Sequence, residues 1–154
     1  MVEVGNDAPD FSLCDQDNNI VTCSEHHGKR IVLAFFPAAF TGICTTEMCT
    51  FQNNLSKLNA VNAAVFGICS DSRFANKAFA DQNGITFPIL SDYSRKTIED
   101  YEIALYDFAG MPGYTASERA VFIIDEDGKI MWKWVGENPG KQPDYDTVLS
   151  KLGV

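Results

Sequence analysis

The run RIVLAFFP, residues 30–37, constrains this chain more than any other segment. From Ile31 to Phe36 there is no alternation of apolar and polar residues, so a strand built from them has no face to offer to water. It must lie inside a sheet covered on both sides. Pro37 ends it, because proline has no N–H to give to a ladder.

The rest of the chain supplies the cover. Cys44, Met48, Phe51, Leu55 and Leu58 follow one another at spacings of 4, 3, 4 and 3, one face of an α-helix, with Thr41 placed as its N-cap. AAVFGICS predicts a second buried strand. SRFANKAFADQNG predicts a second helix with Phe74, Ala78 and Phe79 inward and Gly84 as its C-cap. FPILSD predicts a short strand and SRKTIEDYEI a short helix. RAVFIIDEDGKIMWKWVG predicts a hairpin around DEDG, and residues 145–152 a last helix. Upstream of the central run, FSLCDQDNNIVTCSE predicts another hairpin about DQDNN. This order predicts an α/β protein: a mixed central sheet flanked by helices, with an N-terminal hairpin, compatible with a thioredoxin-like fold. A chain of 154 residues with no repeat or linker predicts a single domain over 1–154.

Composition narrows the function. A net charge of -9 argues against general binding to nucleic acid or to anionic membranes. No apolar run reaches the length of a membrane-spanning helix. The N-terminus MVEVGNDAPDF lacks a basic stretch followed by an apolar one, so no signal peptide is read and a cytoplasmic location is expected. Five cysteines, an odd number, then point to a reducing compartment. Thiols there are more often catalytic, redox-active or simply buried than parts of a static disulfide framework. His26 and His27 have no Cys/His cluster at zinc spacing beside them and read as loop residues.

Cys44 and Cys49 stand out. They are five positions apart in FFPAAFTGICTTEMCTF, residues 35–51. That is too far for a C-x-x-C motif and awkward for a zinc pair. Cys44 falls in the first turn of the predicted helix, where unpaired N–H groups and the positive end of the dipole favour an anion. A cysteine so placed can have its pKa lowered from about 8.5 to roughly 3.5–7.5. Pro37 is positioned to shield a thiolate, Thr41 to bring a hydroxyl near it, and Gly42 to let a backbone N–H approach. The bland alternative is a small apolar side chain on the buried stripe.

Pro37, Thr41 and Cys44 have the spacing of the active-site signature of the peroxiredoxins: Pro, three residues, Thr or Ser, two residues, Cys. The whole segment resembles the AhpE-like and BCP/PrxQ-like subgroups. VGNDAPDFSL resembles the family's opening, GICSDSRFANKAFADQNGITFPILSD its central part, and RAVFIIDEDGKI the strand that carries its arginine. The resemblance implies a thiol-dependent peroxidase acting without metal or organic cofactor. Cys44 would be the peroxidatic cysteine, attacking hydrogen peroxide or an alkyl hydroperoxide and becoming a sulfenic acid. Thr41, the N–H groups of Ile43 and Cys44, and Arg119 would be the donors around the breaking O–O bond. The alternative for Arg119 is a solvated charge at a strand end. Glu47 matches an acidic position of these subgroups, and either orients Arg119 or is a partner of the helix dipole.

Cys49 matches the resolving cysteine of the PrxQ subgroup. The AhpE-like members lack it, and FTGIC and ALYDFAG lean towards them. On an ideal helix an i,i+5 pair has Cα atoms roughly 8.7 Å apart. A disulfide needs them within about 7 Å, so pairing requires the first turns to unwind. Otherwise Cys49 is a bystander near Gln52 and Asn53. Cys69 reads as core, and Cys14 and Cys23 as possible cross-strand neighbours in the first hairpin. The implied reductant is thioredoxin or a similar dithiol. The alternatives are a one-cysteine peroxidase recycled by an external thiol and a peroxide-sensing or chaperone-like protein. A monomer or homodimer is expected, and, with no long C-terminal arm carrying a cysteine, a disulfide between subunits of the typical two-cysteine kind is not.

Overall fold

A computed structural model describes residues 2–154. The central run forms β3 (Arg30–Phe35), whose residues from Ile31 to Phe35 are all buried. Its partners are β4 (Ala63–Cys69), parallel to it, and β8 (Ala120–Ile124), antiparallel to it. β5 (Ile89–Ser91) continues the parallel side next to β4. The N-terminal hairpin of β1 (Ser12–Cys14) and β2 (Ile20–Thr22) extends that edge, and β9 (Ile130–Val135) closes the other. The result is one mixed seven-stranded sheet of order β2-β1-β5-β4-β3-β8-β9. A separate pair, β6 (Ala104–Leu105) with β7 (Ala116–Ser117), has too short a pattern to be legible in the sequence.

The lack of alternation in β3 follows from two cores. Val32 and Ala34 face a cluster with residues of α1 (Gly42–Asn53), α2 (Leu55–Ala60), α3 (Arg73–Asn83) and α5 (Tyr145–Lys151). Ile31, Leu33 and Phe35 face a second cluster with Ile98 of α4 (Lys96–Asp100), Tyr101 and Phe122. Successive side chains of a strand point to opposite faces, so a strand with a core on each side must be apolar throughout.

Three expectations need correction. The helix drawn from Cys44 to Leu58 is broken at Asn54 (φ -104, ψ 5) into α1 and α2, although Cys44, Met48, Phe51 and Leu58 are all buried as the spacing required. In α3 the inward set is Asn76, Phe79 and Ala80. Phe74 is exposed, with the guanidinium of Arg73 lying 4.2 Å from its ring centre, and Ala78 is exposed too. The phase was misjudged because Asn76, a polar residue, occupies a core position and accepts a hydrogen bond from Cys69 Sγ at 3.2 Å. Cys14 is paired with Ile20, whereas Cys23 is buried beyond β2 at the start of a 3-10 turn, so these two thiols are not cross-strand neighbours.

Candidate active site

β3 delivers the chain to the site. Phe36 N–H still bonds Ile68 O at 3.0 Å, and then Pro37, also buried, ends the ladder. The loop that follows is tied to the end of β4: Asp71 Oδ2 accepts from Ala39 N at 2.8 Å. Phe40 has a left-handed backbone (φ 66), uncommon for a residue with a bulky side chain, and its ring packs edge-on against Phe79 at 5.5 Å. That turn drops the chain into extended Thr41 (φ -85, ψ 150) and then into α1.

Thr41 is the N-cap by position and not by side chain. Its hydroxyl donates to Ala38 O at 3.0 Å. In this arrangement its single hydrogen is engaged by Ala38 O, and the oxygen faces any further partner as an acceptor. The first backbone N–H groups of a helix have no carbonyl one turn back, and Thr45 N is the first here to reach one, Thr41 O at 2.9 Å. Ile43 and Cys44 precede it.

Arg119 immediately precedes β8, whose Ala120 is registered with Phe35 at the end of β3. The antiparallel pairing thus brings Arg119 to the point where the chain leaves β3 for the loop. Arg119 is 2% exposed, so the solvated strand-end alternative does not describe it. One terminal nitrogen lies 3.2 Å from Cys44 Sγ and the other 3.1 Å from Glu47 Oε1. Its Nε and a terminal nitrogen also donate to Pro139 O, at 3.1 and 2.9 Å. Nothing in the sequence pointed to Pro139. A carbonyl carries no side-chain signature, and this one lies in a loop past β9, 20 residues from the arginine it holds.

Glu47, also in α1, is fully buried. It faces Arg119 one turn along from Cys44, so of the two readings of Glu47 the geometry brings it to the arginine. Burial pushes its carboxyl up to about 8, against the pull of Arg119. Its Oε2 has no hydrogen-bond partner among the described residues. Tyr145 of α5 packs edge-on against Phe51, and its phenol is pushed upward first by burial and then by Glu47.

Cys49 is half-buried against the same core as Cys44, and all five cysteines are free thiols. Cys69 is buried and its thiol is pushed well up, chiefly by burial; Cys23 is pushed up to about 12 for the same reason. Neither has the environment of a reactive thiol.

A mixed sheet with a thiol at a helix N-terminus, hydrogen-bonded by a buried arginine from the neighbouring strand, defines a thioredoxin-like protein adapted to thiol chemistry. Residues 4–133 match the family model described as the AhpC/TSA family, and the chain belongs to that family. It is 33% identical to peroxiredoxin Bcp of Escherichia coli over 152 residues, covering 98% of this chain and 96% of the relative. It is 30% identical to peroxiredoxin Bcp of Bacillus subtilis over 133 residues, covering 86% and 85%. Among solved structures, peroxidoxin BcpB of Mycobacterium tuberculosis superposes with a TM-score of 0.86 at 26% identity, covering 99% of this chain and 97% of the other. The protein is a thiol-dependent peroxidase of the peroxiredoxin family, similar to its Bcp/PrxQ members.

Proposed function

We propose that Cys44 is the peroxidatic cysteine, that Cys49 resolves its sulfenic acid, and that thioredoxin or a similar dithiol reduces the resulting disulfide. The observation that carries the first step is the 3.2 Å contact between Arg119 and Cys44 Sγ in the first turn of α1. A fixed cation and free helix N–H groups stabilise the thiolate. The same groups meet the charge that moves from sulfur onto the peroxide as the O–O bond lengthens. Thr41 Oγ1, its hydrogen held by Ala38 O, accepts the peroxide O–H and turns one oxygen towards the sulfur. Glu47 and Pro139 O hold the guanidinium plane in place, and Pro37 closes the site beneath the loop. Cys44 is fully buried, which supports hydrogen peroxide or a small alkyl hydroperoxide as substrate, since a bulky one must displace the loop of residues 37–41.

The second step needs α1 to open, because an i,i+5 pair on an intact helix is about 8.7 Å apart at Cα. The composition of its first turns supports opening. Thr45, Thr46 and Thr50 direct their hydroxyls to the carbonyls of Thr41, Gly42 and Thr46, at 2.8, 3.2 and 2.8 Å. Such back-bonding weakens and bends helices, and Gly42 and the β-branched residues lower helix propensity further. At its far end α1 is anchored: Gln52 accepts from Thr86 N at 2.9 Å and donates to Thr86 Oγ1 at 3.0 Å.

We read residues 1–154 as a single domain working in the cytoplasm as a monomer or homodimer. Among the described residues no helix is long and apolar enough to cross a membrane. The test is mass spectrometry of the protein after one equivalent of hydrogen peroxide. A Cys44–Cys49 disulfide is expected. A stable sulfenic acid at Cys44 with Cys49 still a thiol would replace the resolving step by an external thiol. An untouched Cys44 would overturn the assignment.

A further inference from the structure

We propose that Arg119 supports one anion at a time, and that Glu47 holds a proton while Cys44 is a thiolate and yields it when Cys44 is oxidised. This rests on the reading of Cys44 as the peroxide-reducing thiol.

The groups that face one another here are Cys44 and Glu47 of α1, Cys69 at the end of β4, Arg119 just before β8, Tyr145 of α5 and the Pro139 carbonyl in the loop after β9. Cys69, its thiol pushed well up by burial, stays neutral. Arg119 brings the one positive charge among them. Tyr145, with its phenol pushed up by burial and by Glu47, stays neutral at physiological pH. If Cys44 and Glu47 were both ionised, the cluster would carry a net negative charge with Cys44 and Glu47 wholly buried and Arg119 2% exposed. Uncompensated charge in such a place is costly.

The arginine touches each candidate anion with a different terminal nitrogen, at 3.2 Å for sulfur and 3.1 Å for Oε1. Neither arrangement has to be rebuilt when the charge moves from one to the other. The second carboxyl oxygen, Oε2, is buried with no donor among the described residues to satisfy it, a worse place for half of a carboxylate than for the O–H of a neutral acid. Burial also pushes the Glu47 carboxyl up to about 8, against the pull of Arg119, which favours its protonated form at neutral pH.

Oxidation reverses the balance. The thiolate attacks one peroxide oxygen: an S–O bond forms, the O–O bond breaks, and its electron pair leaves with the second oxygen. Sulfur loses two electrons, the peroxide gains them, and the leaving oxygen needs a proton. In sum, Cys44–S⁻ + ROOH + Glu47–COOH gives Cys44–SOH + ROH + Glu47–COO⁻. The neutral sulfenic acid no longer answers the arginine, and the new carboxylate does. The charge of the cluster is zero before and after, so the step leaves no buried cation without a partner. Glu47 on this account holds the guanidinium, is the source of the proton in the summed reaction, and keeps the site electrically balanced.

Infrared difference spectroscopy on the full chain at neutral pH tests this, with hydrogen peroxide added at one equivalent. The wild type should lose the C=O stretch of a protonated carboxylic acid and gain carboxylate bands, and the lost band should shift in heavy water. In E47Q the same change should be absent. A pH indicator in weak buffer should report no net proton uptake by the wild type and uptake of a proton per oxidised Cys44 in E47Q. If E47Q does not fold, E47D keeps the acid and should move the frequency of the lost band. The inference is overturned if Cys44 is oxidised by mass spectrometry while no acid band is lost, or if the band change persists unaltered in E47Q or E47D. A Cys44 that is not oxidised at all would instead overturn the underlying reading of that thiol.

Discussion

Helices α1 and α3 bury residues in the same core but are finished differently at their ends. At the start of α3, Ser72 Oγ accepts from Ala75 N at 3.3 Å. At its end Gly84 turns with φ 67, a conformation glycine adopts without cost, and Ile85 N–H returns to Ala80 O at 2.9 Å. On its surface Lys77 and Asp81 pair at 3.0 Å. At the start of α1, Thr41 turns its hydroxyl to Ala38 instead of to the helix. A capped helix satisfies its own terminal donors. An uncapped one leaves them open to an anion, in the proposed function that of Cys44, and relies on the packing of Met48 and Phe51 for its stability. The helix proposed to carry the chemistry is therefore the one less secured by its own sequence, in keeping with the proposal that it opens.

The comparison breaks most completely at the nucleophile. C44S should abolish peroxide turnover while leaving the circular dichroism spectrum unchanged, because it removes the reacting atom and little volume. Near-normal turnover by a folded C44S protein would end the assignment. Next in size, Arg119→Ala should slow the peroxide reaction by about 10²–10³-fold, the usual loss for one such electrostatic group. Stopped-flow measurement of the first turnover checks this, and an unchanged rate would remove Arg119 from the site.

The helices themselves should then diverge on oxidation. Amide exchange over residues 43–50 should accelerate in the disulfide form, up to the anchor at Gln52, while α3 keeps its protection. C49S should reduce one equivalent of peroxide and then stall. An oxidised protein that is still helical over 43–50, with Cys49 a free thiol, would remove the difference between the two helices.

A smaller effect concerns pH. Glu47 has a folded-state value of about 8, above its ordinary 4.5, so between these values the folded protein binds more protons than the unfolded one. Its contribution is then favourable at low pH and is lost as pH rises towards 8. Denaturant titrations should show the wild type losing stability relative to E47Q over that window. Parallel curves would contradict the raised value. Smallest of all, Ser72→Ala should cost about 1 kcal/mol of stability, the usual worth of a cap, with no change in the peroxide rate. A change in that rate would show that α3 is coupled to the site.

Spacing and composition alone carried much of this protein. The unalternating run of β3 required a sheet covered on both faces, the 4-3-4-3 recurrence from Cys44 placed the thiol on a buried helical face, and the family resemblance carried by Pro37, Thr41 and Cys44 pointed to a candidate site. These features are local, and a strand or helix repeats them within a few residues. What failed was also local in cause. Asn76 stands at a core position because Cys69 donates to it, and its polarity turned the reading of α3 towards Phe74 and Ala78. Only the tertiary structure decided how the site is assembled. Register between β3 and β8 sets Arg119 beside Cys44, 75 residues away, and a loop past β9 brings the Pro139 carbonyl that holds it. Whether Glu47 met the arginine or the helix dipole was open in the sequence, because both need only an acidic residue early in α1. Packing resolved it by burying the carboxyl where it pairs with Arg119. Burial and long-range register are sums over the whole fold, and no short stretch of residues contains them.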